Sequence, residues 1–183
     1  MNHTTSRPWR ISLVPVGRIR REALEILETR LPSKFGRASC RIEEISSDVG
    51  EFRNPRTGQY YATRILASLE RNKQAIDADK VLAVTDLDLY VPNMNFVFGE
   101  ARLPGEVAVI STHRLSGTTE YGGENLFASR VIKEAVHELG HTLGLTHCSS
   151  PSCVMYFSNS LSDTDRKGEE YCDNCTRKLS IGR

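Results

Sequence analysis

The sequence has no apolar run near the roughly 20 residues needed to cross a bilayer, which excludes a membrane-spanning helix. It also lacks an excess of either charge. With 24 Lys+Arg against 23 Asp+Glu, nothing marks a surface for nucleic acid or for an anionic membrane. The first ten residues are polar, carry Arg7, Trp9 and Arg10, and lack the apolar core of a secretion signal, so a cytoplasmic chain is expected. Internal repeats and low-complexity tracts are absent. Cysteine is nearly missing from most of the chain: Cys40 stands alone, whereas Cys148, Cys153, Cys172 and Cys175 fall in the last stretch. A reducing compartment disfavours pairing these four as disulfides, and clustered thiols there more often hold a metal. At 183 residues the chain is sized for a single domain, 1–183, that can bury a core without disulfides.

Hydropathy then organises the chain. Trp9, Ile11 and Leu13 alternate, predicting a strand that ends near Pro15 and Gly17. Arg18 to Leu31 carries an apolar stripe at helical period, with Pro32 expected to close it. Cys40 to Ile45 alternates again, and Asn54 to Gly58 is a loop before a helix expected over Tyr60 to Ile76. Lys80 to Thr85 is a short continuous apolar run, as in a central strand covered on both faces. Asn95 to Phe98 and Val107 to Ile110 are further strand candidates. Gly122 and Gly123 precede a strong helix over Asn125 to Leu143, with Leu126, Val131, Ile132, Ala135, Val136, Leu139 and Leu143 on its apolar face. Beyond Gly144 a loop-like region is expected, with one short helix around Asp163 to Cys172.

The chemistry concentrates in His137-Glu138-Leu139-Gly140-His141-Thr142-Leu143-Gly144-Leu145-Thr146-His147. Residues four apart share a helix face, so His137 and His141 can grip one ion. Glu138 sits about 100° around the helix, beside that ion rather than on it. In a continued helix His147 would lie about 9 Å further along the axis and could not reach the same ion. Gly144 resolves this, because glycine takes the left-handed conformation that ends helices. Three imidazoles leave one position open, the pattern of a catalytic zinc that activates water and polarises a carbonyl, with Glu138 as general base. Two surface histidines on an ordinary helix would explain the short motif alone, but not the added Gly144 and His147.

Cys148-x4-Cys153 and Cys172-x2-Cys175 offer four thiolates at spacings suited to a closed tetrahedral site. A structural zinc is the favoured reading, against a redox pair at Cys172 and Cys175 or two disulfides. The expectation is therefore two zinc ions per chain, one catalytic and one structural. Cys40 reads as a buried free thiol, and His3 and His113 as ordinary residues without partners at ligand spacing.

The long histidine motif, followed at once by Cys148, then Cys153-Val154-Met155 and Cys172-Asp173-Asn174-Cys175, resembles the archaemetzincin (archaelysin) family of metzincin zinc metalloproteases. Upstream, Thr85 to Pro92 and Asn95 to Glu100 resemble it too. The likeness runs from about Val81 onward, with the gap from Met155 to Cys172 one residue shorter than the family's usual form. It implies an α+β fold with an α/β-like upper lobe: a twisted mixed sheet, a backing helix and an active-site helix, plus a small zinc-stabilised C-terminal lobe. Residues 1–144 would form the N-terminal lobe and 145–183 the C-terminal one. Met155 would be the apolar floor beneath the catalytic metal, and one sheet edge, at Asn95 to Phe98, would pair with an extended substrate.

The function expected is hydrolysis of peptide bonds in a peptide or protein substrate, with no nucleic-acid or membrane partner. The alternative is a non-catalytic zinc protein that binds a peptide or partner. Glu138 separates the two, because a pure binding site needs no carboxylate beside an open metal position. Tyr156 reads as packing or pocket wall, and Glu120 and Glu124 as surface residues.

Overall fold

Alternating side chains on three parallel strands divide the core in two. The computed structural model describes residues 8–36, 38–43, 48–117 and 124–181. Strand β1 (Arg10–Pro15) lies between β2 (Ser39–Ile42) and β4 (Lys80–Thr85), and β4 pairs in turn with β7 (Val107–Ser111), all parallel. Ile11, Leu13, Leu82, Val84, Ala108 and Ile110 point to one face; Val14, Val81, Ala83, Val107 and Val109 point to the other. This is the period of two that a sheet imposes, and it gives β4 its uninterrupted burial. Strand β6 (Gly99–Ala101) pairs antiparallel with β7 and forms one edge, completing the order β2-β1-β4-β7-β6. A two-stranded parallel ribbon, β3 (Tyr60–Tyr61) with β5 (Leu89–Tyr90), lies apart from this sheet.

Helices cover both faces. The helix α1 (Arg21–Lys34) and the long helix α3 (Glu124–Thr142) pack on the first face, and α2 (Ala62–Asn72) on the second. On α3 the residues Val131, Ile132, Ala135, Val136 and Leu139 are buried at helical spacing, each such branched side chain contributing about 1.5–3 kcal/mol. Two short helices, α4 (Leu161–Arg166) and α5 (Asp173–Ile181), follow. No helix among the described residues is long and apolar enough to cross a membrane.

Four expectations are corrected. Pro32 lies inside α1, which runs on to Lys34; in the last turn a missing N–H costs one bond, and the Pro32 carbonyl still accepts from Phe35 N at 3.2 Å. The helix after β3 starts at Ala62 and ends at Asn72, with a separate short 3-10 turn at Lys73–Ala75. The edge strand is Gly99–Ala101 rather than Asn95 to Phe98, where Val97 only bridges Leu89 and the Phe96 and Phe98 rings pack edge to face. Finally, Cys172 precedes a second C-terminal helix, α5, instead of ending the first. Ile45, Gly122, Gly123, His3 and Glu120 lie outside the described residues.

Candidate functional site

The end of α3 builds the first site. Gly144 adopts φ +92°, where its N–H bonds to His141 O at 2.9 Å and the Leu145 N–H reaches back to Gly140 O at 3.1 Å. That pair of bonds is the Schellman closure of a helix, and buried Leu145 supplies its apolar contact. The reversal has a chemical consequence. It brings Leu145 O to 2.7 Å from His141 Nδ1, and it turns His147 back towards the helix.

His137 is fixed in the same manner from another segment. Its Nδ1 lies 2.8 Å from Val154 O, and that strip is itself held by Cys148 N to Met155 O and Val154 N to Glu170 O. A carbonyl only accepts, so both Nδ1 atoms carry the proton and both Nε2 atoms present lone pairs. Those two Nε2 atoms face each other at 3.1 Å. Two acceptors at that distance repel unless a cation lies between them, and two zinc–nitrogen bonds of about 2.0–2.1 Å at the tetrahedral angle would span roughly 3.3 Å. The ligand atoms of His137, His141 and His147 all lie within 4.8 Å of one another. Burial holds His137 well below the ordinary imidazole range, assisted by the charge of Lys167; His141 and His147 are lowered chiefly by burial too. Neutral imidazoles are the ligand form, and the set fits zinc.

Around this centre the cleft measures about 680 Å³. Phe157 packs 4.9 Å from the His147 ring and lines the cleft, whereas Tyr156 does not. Met155 is fully buried, its Sδ 2.5 Å from where a Cβ on Gly140 would stand, so glycine lets it pass close beneath the two-histidine turn. Glu138 is buried beside β6: a Cβ on Gly99 would lie 2.6 Å from its Cγ. Its carboxyl is pushed well above the usual range by burial, then by the like charge of Glu134, with Lys167 opposing. Glu134 and Lys167, which the sequence did not single out, form a buried ion pair at 3.0 Å behind the site.

The thiol cluster is the second constellation. Cys148 and Cys172 lie 3.8 Å apart at sulfur, as do Cys153 and Cys175, and all four sulfurs fall within 4.8 Å of one another. A disulfide would need about 2.05 Å. The edge of a tetrahedron with metal–sulfur bonds of about 2.3 Å is close to 3.8 Å. Cys172 precedes α5, and the backbone N–H of Cys175 brings its thiol down to about 7, while burial raises Cys153 and Cys175. A metal entering here displaces protons from the buried pair. Cys40, half-buried on β2, is a free thiol away from both clusters.

The pattern that defines Peptidase family M54 matches residues 38–181. The archaemetzincin of Pyrococcus furiosus is 41% identical over 187 residues, covering 94% of each chain. Among solved structures, archaemetzincin from Methanopyrus kandleri superposes with a TM-score of 0.86 at 35% identity, covering 99% of this chain and 98% of that one. Archaemetzincin from Archaeoglobus fulgidus, complexed with malonate, superposes with a TM-score of 0.80 at 42% identity, covering 92% of this chain and 99% of that one.

Proposed function

The chain belongs to peptidase family M54, the archaemetzincins, and is a zinc metallopeptidase; from that premise we propose which residues perform the reaction and how. His137, His141 and His147 hold the catalytic zinc, and Cys148, Cys153, Cys172 and Cys175 hold a second, structural zinc. When bound, the catalytic ion supplies Lewis acidity, which makes water easier to deprotonate and polarises the scissile carbonyl. Glu138 takes a proton at its carboxylate oxygen and returns it to the leaving amine. The observation that carries this reading is the pair of inward-facing Nε2 lone pairs 3.1 Å apart, with Glu138 one residue from His137 on the same helix.

The substrate lies extended along β6. Among the described residues that strand pairs with β7 alone, so its other edge offers backbone donors and acceptors to an added strand. Glu138 stands next to this edge at Gly99, which brings the proton acceptor close to the substrate backbone. Residues 1–144 act as the lobe carrying sheet and active-site helix, and 145–183 as the lobe carrying Met155 and the thiol cluster. Sulfur separations of 3.8 Å in the cysteine cluster, metal-ligand spacing rather than disulfide spacing, agree with a cytoplasmic setting. The test is cleavage of an unbiased peptide library: chelation should abolish it and added zinc restore it. Cleavage that survives removal of all zinc would refute the reading.

A further inference from the structure

Taking the cleft as the peptidase site proposed above, we propose that Glu100 recognises a cationic group of the substrate, an ammonium or guanidinium, and so sets a preference for basic peptides. Among the described residues the lining of the cleft carries three carboxylates, Glu100, Glu134 and Glu138, and no lysine or arginine. Glu134 is neutralised by Lys167, and Glu138 serves the chemistry. Glu100 is left over. The nearest residue of opposite charge along its strand, Arg102, is engaged by Glu70 through two bonds of 2.8 Å. Among the described residues Glu100 has no ion-pair partner; its two oxygens lie 2.8 and 2.9 Å from the Thr63 hydroxyl. One hydroxyl donates one proton, whereas a carboxylate offers about four acceptor positions. A half-buried carboxylate with most of its acceptors open, at the wall of a substrate cleft, has its missing partner in the substrate.

Strand geometry says where that partner stands. Gly99 turns towards α3 and Glu138, while Glu100, next in line, reaches Thr63 on α2, the other face of the sheet. A peptide added to the β6 edge alternates in the same way. The substrate residue whose side chain turns to the α2 face therefore lies beside Glu100, flanking a neighbour that turns inward to the histidines. Cross-strand neighbours of opposite charge attract, and here the carboxylate is already partly desolvated. Burial also raises the Glu100 carboxyl, with the Thr63 hydroxyl and Arg102 opposing, which is the cost a bound cation would offset.

The test uses peptide pairs taken from library hits and differing at one position, lysine against norleucine, each made with a free and an acetylated N-terminus. The zinc-loaded protein should favour the lysine member at one fixed position by about ten- to a hundredfold in kcat/KM. Glu100→Gln should bring that ratio to about one, the lysine member losing far more of its kcat/KM than the norleucine member, and Glu100→Lys should shift preference to glutamate. If discrimination instead follows the free N-terminus and Glu100→Gln abolishes it, the cation is the α-amino group. No charge preference in the unmodified protein, or a preference that Glu100→Gln leaves intact, overturns the proposal. Should no peptide be cleaved at all, it is the peptidase reading that falls. Calorimetric binding of the same pairs then decides for Glu100: tighter lysine binding lost in Glu100→Gln supports its role, and equal binding refutes it.

Discussion

The ammonium of Lys167, on a side chain with no solvent exposure, lies 3.0 Å from the carboxylate of Glu134, whose side chain is 3% exposed. Lys167 also approaches His137 Nδ1 at 3.5 Å, and Thr164 Oγ1 donates to the same Glu134 oxygen at 3.0 Å. The pair ties the segment after α4 to the face of α3 that carries the histidines.

Breaking that pair leaves an uncompensated buried charge. Lys167→Met is expected to destabilise the fold by about 3–5 kcal/mol, measured by denaturant unfolding. Lys167→Met with Glu134→Leu should recover much of the loss, because the unpaired charge is gone. A single variant as stable as the parent would contradict the ion-pair assignment.

Much of this arrangement was legible in the sequence, and the limits have physical causes. Strands β1, β4 and β7 and helix α3 announce themselves through hydropathy, and the histidine and cysteine spacings alone name both constellations. The Gly144 break was required by His147, and the positive φ there bears it out. Lys167 is not legible in the sequence, since its burial depends on a carboxylate far away in the chain, Glu134, 33 positions earlier. The edge strand is hard to place from sequence because apolar alternation at Asn95 to Phe98 marks aromatic packing, while Gly99–Ala101 pairs through backbone bonds that carry no hydropathy signature. Helix α5 leaves little signal in the sequence because Cys172 lies just before it and Cys175 in its first turn, and it presents few apolar residues.

Gly99→Ala tests the closeness of the edge strand to Glu138. The added methyl would stand 2.6 Å from Glu138 Cγ and equally near the Val109 carbonyl, so one of them must shift. Zinc content should remain unchanged while the rate falls by about a hundredfold, the scale of an ångström-sized misplacement. Metal analysis beside steady-state kinetics checks both halves.

Cys172→Ala should act through the C-terminal region. It removes one of four thiolates, so one zinc equivalent should be lost, and the melting temperature should drop. Thiol titration of the unfolded parent should find all five cysteines reduced. An unchanged melting temperature and metal content would exclude a structural zinc there.

A pH dependence follows from Glu169. Burial would raise its carboxyl, but hydrogen bonds from Lys34 and Ser129, with the charges of Lys34 and Arg30, hold it below the ordinary range. A depressed folded value means the stabilisation is present above the unfolded carboxylate pKa of about 4.3 and is lost as pH falls through the folded value. The stability difference between the parent and Glu169→Gln should be constant above about pH 5.5 and shrink below about 4.3. A difference that grows on acidification would reverse the sign.

The central claim is that Glu138 moves the proton and does not hold the metal. Glu138→Ala, loaded with zinc, should keep the parent's metal content and melting behaviour, whereas His141→Ala should lose the catalytic ion. Loss of a positioned general base typically costs about 10²–10⁴-fold, so hydrolysis of the best library peptide by Glu138→Ala should fall by that factor. A Glu138→Ala protein that retains the parental rate at full zinc occupancy contradicts the mechanism.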